Sequence, residues 1–152
     1  MTGSGQAAKT ILVVDDEQEV CELARDYLVA AGYRVLEATD GEAALRMGET
    51  YGEPIHLLLT DVVMPRLNGV ELAGRLVRHR PDTKVLYMSG FAVVGAQPGS
   101  VSGIALEPGD AILPKPFTAE ALTRKVREVL GAPSRPRSPF SRPRTRPDQW
   151  WP

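Results

Sequence analysis

The sequence predicts an α/β fold, a doubly wound five-stranded parallel sheet, on three observations. Short, almost wholly apolar runs recur along the chain, and each stops abruptly at a polar or charged residue. Between them lie segments whose apolar residues repeat at helical spacing. The 152 residues suffice for one core of ordinary size. Buried strands alternating with amphipathic helices give a parallel sheet covered on both faces and joined by right-handed crossovers.

After a polar leader, residues 1–8, the run "TILVVDDE" reads as a first buried strand ending in acids. Val20, Leu23, Ala24, Tyr27, Leu28 and Ala31 then fall on one face of a helix that Gly32 ends. "YRVLEA" is the second strand, and Asp40 caps a short helix over "GEAALRMGETY". "IHLLLTD" is the third strand. The loop "VVMPRLNG" leads into a helix carrying Val70, Ala73 and Val77, which Pro81 stops. "KVLYMSG" is the fourth strand. Gly95, Pro98, Gly99, Gly103 and Pro108 interrupt the stretch from Gly90 to Gly109, so a fourth helix there is short or irregular. "GDAIL" is the fifth strand, and Thr118 caps a last helix with Leu122, Val126, Val129 and Leu130 at helical spacing.

Charge is unevenly spread. Up to Leu130 there are 13 Lys and Arg against 18 Asp and Glu, a balance of −5, whereas five Arg face one Asp from Gly131 onward. Neither balance is large enough to announce nucleic acid. Residues 131–152, with six prolines and five arginines, lack a core-forming pattern and read as a disordered Pro/Arg-rich tail ending in Trp150 and Trp151. Cys21 is the only cysteine, which excludes an intramolecular disulfide and a multi-thiolate metal site; it reads as a small apolar helix residue. No apolar run approaches a membrane span, and the leader lacks a signal peptide's apolar stretch. The expected location is cytoplasmic.

In an open parallel sheet the ligand site lies beyond the carboxyl ends of the strands, where the strand order reverses. This chain places Asp15 and Asp16 after the first strand, Asp61 after the third, Ser89 after the fourth and Lys115 after the fifth. Three carboxylates in one pocket repel one another and hold their protons unless a cation neutralises them. Mg2+ suits a few carboxylates, a backbone carbonyl and retained waters. Beside Asp61 it would offset charge during in-line phosphoryl transfer, with Lys115 and Ser89 holding the phosphoryl oxygens. The set reads as a pocket for accepting phosphate onto a carboxylate. His56 and His79 stand outside it and read as structural or solvent-facing, and Met64 and Pro65 shape the loop beside Asp61.

"ILVVDDE", "LLLTDVVMPRLNGVEL", "VLYMSG" and "LPKPFTAEAL", in this order and spacing, resemble the receiver domain of two-component response regulators over residues 9–130. The resemblance implies a flavodoxin-like strand order 2-1-3-4-5. It implies that Asp61 accepts the phosphoryl group from a sensor histidine kinase or a histidine phosphotransfer protein. Asp16 would bind Mg2+ directly and Asp15 largely through water, with Asp61 and the Val63 backbone carbonyl completing the protein ligands. Ser89 would be the switch hydroxyl, Lys115 would bridge to the phosphoryl group, and Pro116 would make the Lys115–Pro116 bond a cis candidate. Such a domain signals to a downstream protein and is compatible with a homodimer; it is not an enzyme beyond self-phosphorylation from small phosphodonors and slow autodephosphorylation.

Two departures from the family pattern stand out. The position of the usual switch aromatic, three before the lysine, holds Ile112, and Pro114 stiffens the same strand end, so the signal is expected to act on the order of segment 90–109 instead. Val63 and Phe91, two residues after Asp61 and Ser89, are apolar and cannot orient a hydrolytic water, which predicts a long-lived phospho-aspartate. About 20 residues follow the last helix, too few for a DNA-binding domain. The chain reads as a stand-alone regulator or as a receiver from a larger protein. Its ending is similar to receivers at the C-terminus of hybrid histidine kinases, which favours a relay or feedback role. A haloacid-dehalogenase-type phosphohydrolase would need a second acid at Val63, and a flavin module would need a phosphate loop where "DDEQE" stands. The remaining alternative is a phosphorylation-independent interaction module on the receiver fold.

Overall fold

The computed structural model describes residues 8–90, 100–101, 104–107 and 109–132. In chain order the elements are β1 (Thr10–Val14), α1 (Gln18–Ala30), β2 (Arg34–Ala38), α2 (Gly41–Thr50), β3 (Leu57–Asp61), α3 (Gly69–His79), β4 (Lys84–Ser89), β5 (Ser100–Val101), β6 (Ile104–Ala105), β7 (Ala111–Pro114) and α4 (Ala119–Gly131). Five strands form one parallel sheet in the order β2-β1-β3-β4-β7. Among the described residues β5 and β6 pair with each other, so β7 is the fifth strand of the parallel sheet and its order is 2-1-3-4-5. The chain steps from β1 to one side and returns to β3 on the other. The reversal therefore falls between the strand ends that carry Asp15 and Asp61.

Alternation along the strands splits the core in two. Leu12, Val14, Leu58 and Tyr87 pack under α2 and α3 with Ala44, Leu72 and Leu76. Ile11, Val13, Leu57, Leu59, Leu86 and Met88 pack under α1 and α4 with Cys21, Ala24, Leu28, Leu122 and Val126. All five residues of β1 and of β3 are buried, whereas the edge strand β2 is only partly covered. A central strand covered on both faces needs apolar side chains in both directions, which is why "LLL" runs unbroken into Asp61.

The caps follow local chemistry. Asp40 Oδ1 accepts from the Ala43 N–H at 2.7 Å, Asn68 and Glu71 form a reciprocal capping box on α3, and Thr118 Oγ1 accepts from the Ala121 N–H at 3.0 Å. At the opposite end of the sheet, Arg80 donates to the carbonyls of Gly48, Tyr51 and Glu53, satisfying acceptors that the end of α2 leaves open. His56 Nδ1 accepts from the Thr10 N–H at 2.9 Å, and burial lowers its pKa, so it serves as a neutral structural acceptor.

Two expectations are corrected. The buried stripe of α1 is Cys21, Ala24 and Leu28, while Leu23 is 42% exposed; the helix is rotated so that Cys21 rather than Leu23 faces the sheet. The stripe of α3 is Leu72, Ala73 and Leu76, with Val70 only packed at its margin. Of the segment expected to hold a short or irregular fourth helix, residues 91–99, 102, 103 and 108 lie outside the described residues; the described ones include the antiparallel pair β5–β6, and Ile104 and Leu106 cover the same sheet face as α2 and α3. Phe91, residues 1–7 of the leader and the tail from residue 133 lie outside the described residues.

Candidate functional site

The site sits where β1, β3, β4 and β7 end. Asp15 follows β1 and is fully buried; its Oδ1 accepts from the Glu17 N–H at 2.9 Å, which fixes the turn into α1. Asp16 beside it is exposed. Asp61 closes β3 at 8% exposure. One carboxylate oxygen from each of these three acids lies within 4.8 Å of the other two. Lys115, past the end of β7, reaches between them, with Nζ 3.0 Å from Asp15 Oδ2 and 3.4 Å from Asp61 Oδ2. The Lys115–Pro116 bond is cis.

Register places the remaining residues. Asp61 lies beside Met88 and Ser89 beside Pro114, so Ser89 ends β4 at the level of the acids. It is 1% exposed, its hydroxyl donates to the Gly90 carbonyl at 3.2 Å, and its carbonyl accepts from the Lys115 N–H at 2.7 Å. The Val63 side chain stands 44% exposed at the rim. Ile112 is half-buried on the α2/α3 side of the sheet, directly beside Tyr87 on β4. An aromatic thus occupies β4, two residues before Ser89, while β7 has none at the neighbouring position.

Electrostatics explain the tension in this cluster. Burial, reinforced by the charge of Asp15, pushes Asp61 up to about 6, and Lys115 only partly opposes this. Burial likewise raises Asp15, against the Glu17 N–H and Lys115. For Lys115, burial acts to lower the ammonium, but Asp15 and Asp61 outweigh it and hold it above its usual value. Burial and the nearby Asp15 push the Cys21 thiol up to about 12, so this cysteine is a packing residue. A single ammonium does not neutralise three carboxylates. The donor set of hard oxygens around a charge deficit fits a small divalent cation such as Mg2+.

Two functional details escape sequence reasoning. The Thr60 hydroxyl, fully buried, donates to the Asp61 backbone carbonyl at 2.9 Å. A Cβ on Gly69 would lie 2.1 Å from that same oxygen, so only glycine lets α3 start against the end of β3. The signal for the first was a lone hydroxyl closing a leucine run. For the second it was the glycine one residue after the Asn68 cap.

The model of the response regulator receiver domain family matches residues 11–127. Over 124 residues the chain is 37% identical to the response regulator receiver protein CpdR of Brucella abortus (strain 2308), covering 80% of this chain and 97% of that protein. It is 34% identical over 127 residues to the sensor kinase CckA of the same organism, covering 84% of this chain but 13% of that one. Against the transcriptional regulatory protein CpxR of Escherichia coli (strain K12) the identity is 35%, over 79% of this chain and 48% of CpxR. Among solved structures, the CheY-like receiver domain protein of Methanospirillum hungatei JF-1 superimposes with a TM-score of 0.66 at 29% identity, covering 81% and 94% of the two chains. The receiver domain of the hybrid histidine kinase CckA gives 0.59 at 32% identity, covering 80% and 98%. With the sheet order, the acidic cluster and these matches in agreement, the chain belongs to the response regulator receiver domain family.

Proposed function

We propose that the chain accepts a phosphoryl group onto Asp61 from the phosphohistidine of a sensor histidine kinase or a histidine phosphotransfer protein, in a Mg2+-dependent reaction. The observation that carries this is Asp61 at the edge of β3, within 4.8 Å of two further carboxylates and 3.4 Å from the Lys115 ammonium. Asp15, Asp16, Asp61 and the Val63 carbonyl would hold Mg2+, which when bound supplies the charge that neutralises the acids and offsets that of the phosphoryl oxygens. An Asp61 carboxylate oxygen attacks phosphorus, the P–N bond to the donor imidazole breaks, and the imidazole takes a proton from solvent. Lys115 turns from the acids to the incoming oxygens as a point charge, and the Ser89 hydroxyl leaves the Gly90 carbonyl to donate to one of them. Residues 9–130 form this signalling domain, with 1–8 as leader and 131–152 as tail, and the cytoplasm is where its kinase partner would meet it. The output is contact with a downstream protein or onward phosphate relay, through rearrangement of segment 90–109.

The test is incubation with Mg2+ and a small acyl phosphate beside Asp61→Asn. The expected result is an acid-stable, base-labile mass gain of one phosphoryl group on the wild type only. An unlabelled wild type overturns the reading and leaves the phosphorylation-independent interaction module in its place.

A further inference from the structure

We infer that Thr60 is a positioning residue for the Asp61 site, acting through the backbone carbonyl of Asp61; the inference rests on the phosphoacceptor reading above. Thr60 is fully buried. Its cross-strand neighbours are Val14 on β1 and Tyr87 on β4, both members of the core cluster under α2 and α3. A hydroxyl in such a place costs free energy unless it is hydrogen-bonded, and valine has nearly the same shape without that cost. Strand propensity and packing therefore favour valine here. What threonine adds is one bond, from Oγ1 to the Asp61 carbonyl at 2.9 Å.

That carbonyl is a strategic atom. The pairing of β3 with β1 ends at Thr60, so Asp61 is the first residue beyond it. The Asp61–Val62 peptide plane sets the direction in which the chain leaves the sheet. From below, the Thr60 hydroxyl holds its oxygen; from beyond, Gly69 approaches so closely that a Cβ would lie 2.1 Å from it, and the Gly69 N–H donates to the next carbonyl, Val62, at 2.8 Å. Rotation of this plane changes ψ of Asp61. With Asp61 itself held in the sheet beside Met88, it is the Val62–Met64 backbone, including the Val63 carbonyl, that such a rotation moves relative to Asp15, Asp16 and the Asp61 carboxylate. The Thr60 bond thus fixes the direction in which the backbone leaves Asp61 and, with it, where the Val63 carbonyl stands beside the three acids.

The test compares full-length wild type, Thr60→Val and Thr60→Ser. Two readouts are used: Mg2+ affinity, from NMR titration with Mg2+ alone, and the rate of phosphoryl uptake from a small acyl phosphate. Thr60→Val should bind Mg2+ about five- to tenfold more weakly and take up phosphate more slowly by a similar factor, the scale of one lost hydrogen bond. Thr60→Ser, which keeps the donor, should stay within about twofold of wild type on both. Wild-type behaviour of Thr60→Val overturns the inference, as does equal impairment of Val and Ser, which would assign the position to packing alone. Should Thr60→Val fail to fold, Thr60→Ala beside Thr60→Ser makes the same comparison. If the wild type takes up no phosphate, the phosphoacceptor reading fails, and the Mg2+ titrations still decide the role of Thr60.

Discussion

Asp61 illustrates how a buried carboxylate, here the proposed phosphoacceptor, costs stability. With a pKa of about 6 in the folded chain against about 3.9 unfolded, the native state binds more protons than the unfolded state between those values. The resulting stabilisation is fully present below about pH 4 and is lost as pH rises through about 6. At neutral pH, without divalent cations, the ionised Asp61 destabilises the fold. Asp61→Asn should therefore be more stable than wild type by about 1–3 kcal/mol near pH 8 in a chelator, with the gap closing towards about pH 4. Urea denaturation at the two pH values checks this; an equal gap at both would show that burial of Asp61 is not the cause. Arg66 offers a second case, because it holds φ +69°, and its contact with Asp40 is an exposed 3.9 Å pair of little value. Arg66→Gly should stabilise the chain by about 0.5–1 kcal/mol in thermal or urea melts, since glycine adopts this backbone freely. Val63 bears on reset: an apolar side chain at the rim gives an attacking water no partner. Phospho-Asp61 should persist for minutes or longer in Mg2+, with Val63→Asn shortening its life, as read by intact mass over time; decay of the wild type within seconds contradicts this. The acids and Lys115 were legible because each ends an apolar run, whereas Thr60 was not, because its role lies in a single bond to its own neighbour's carbonyl.

Among the elements, α2 and α3 pack through a glycine. A Cβ on Gly48 would lie 2.2 Å from Leu76 Cδ1, so the two helices meet where one has no side chain. Gly48→Ala should destabilise by about 1–3 kcal/mol through overpacking, despite alanine's better helix propensity. In a Leu76→Ala background the same change should cost little or become favourable, and a double-mutant cycle in urea measures the coupling; additivity of the two would show that the helices adjust freely. Strand existence was readable from apolar runs, strand order from the resemblance to receiver domains, and two of the caps from Asp40 and Thr118; the Asn68 capping box was not read from the sequence. Nor was the rotation of α1. Helical spacing accommodates both Leu23 and Cys21, and the choice of the smaller residue as the inward one depends on how closely the helix lies on the sheet. The β5–β6 pair was hidden for another reason: glycine and proline spacing marks a break in a helical pattern but carries no sign of a two-residue strand pair beside it.

On the scale of the molecule, the sheet brings residues distant in sequence to one edge, and the family likeness spans nearly all of that sheet, residues 11–127. Among the described residues the sheet is covered on both faces, by α2 and α3 on one and by α1 and α4 on the other. Lys115 and Asp15, joined at 3.0 Å, are 100 residues apart. During synthesis the acids of β1 and β3 emerge long before this ammonium, and a chain cut before Ala111 carries the acids without it. The pocket is completed only when β7 pairs with β4, so in a nascent or truncated chain that lacks β7 the buried carboxylates of Asp15 and Asp61 stand without the ammonium that lies 3.0 and 3.4 Å from them.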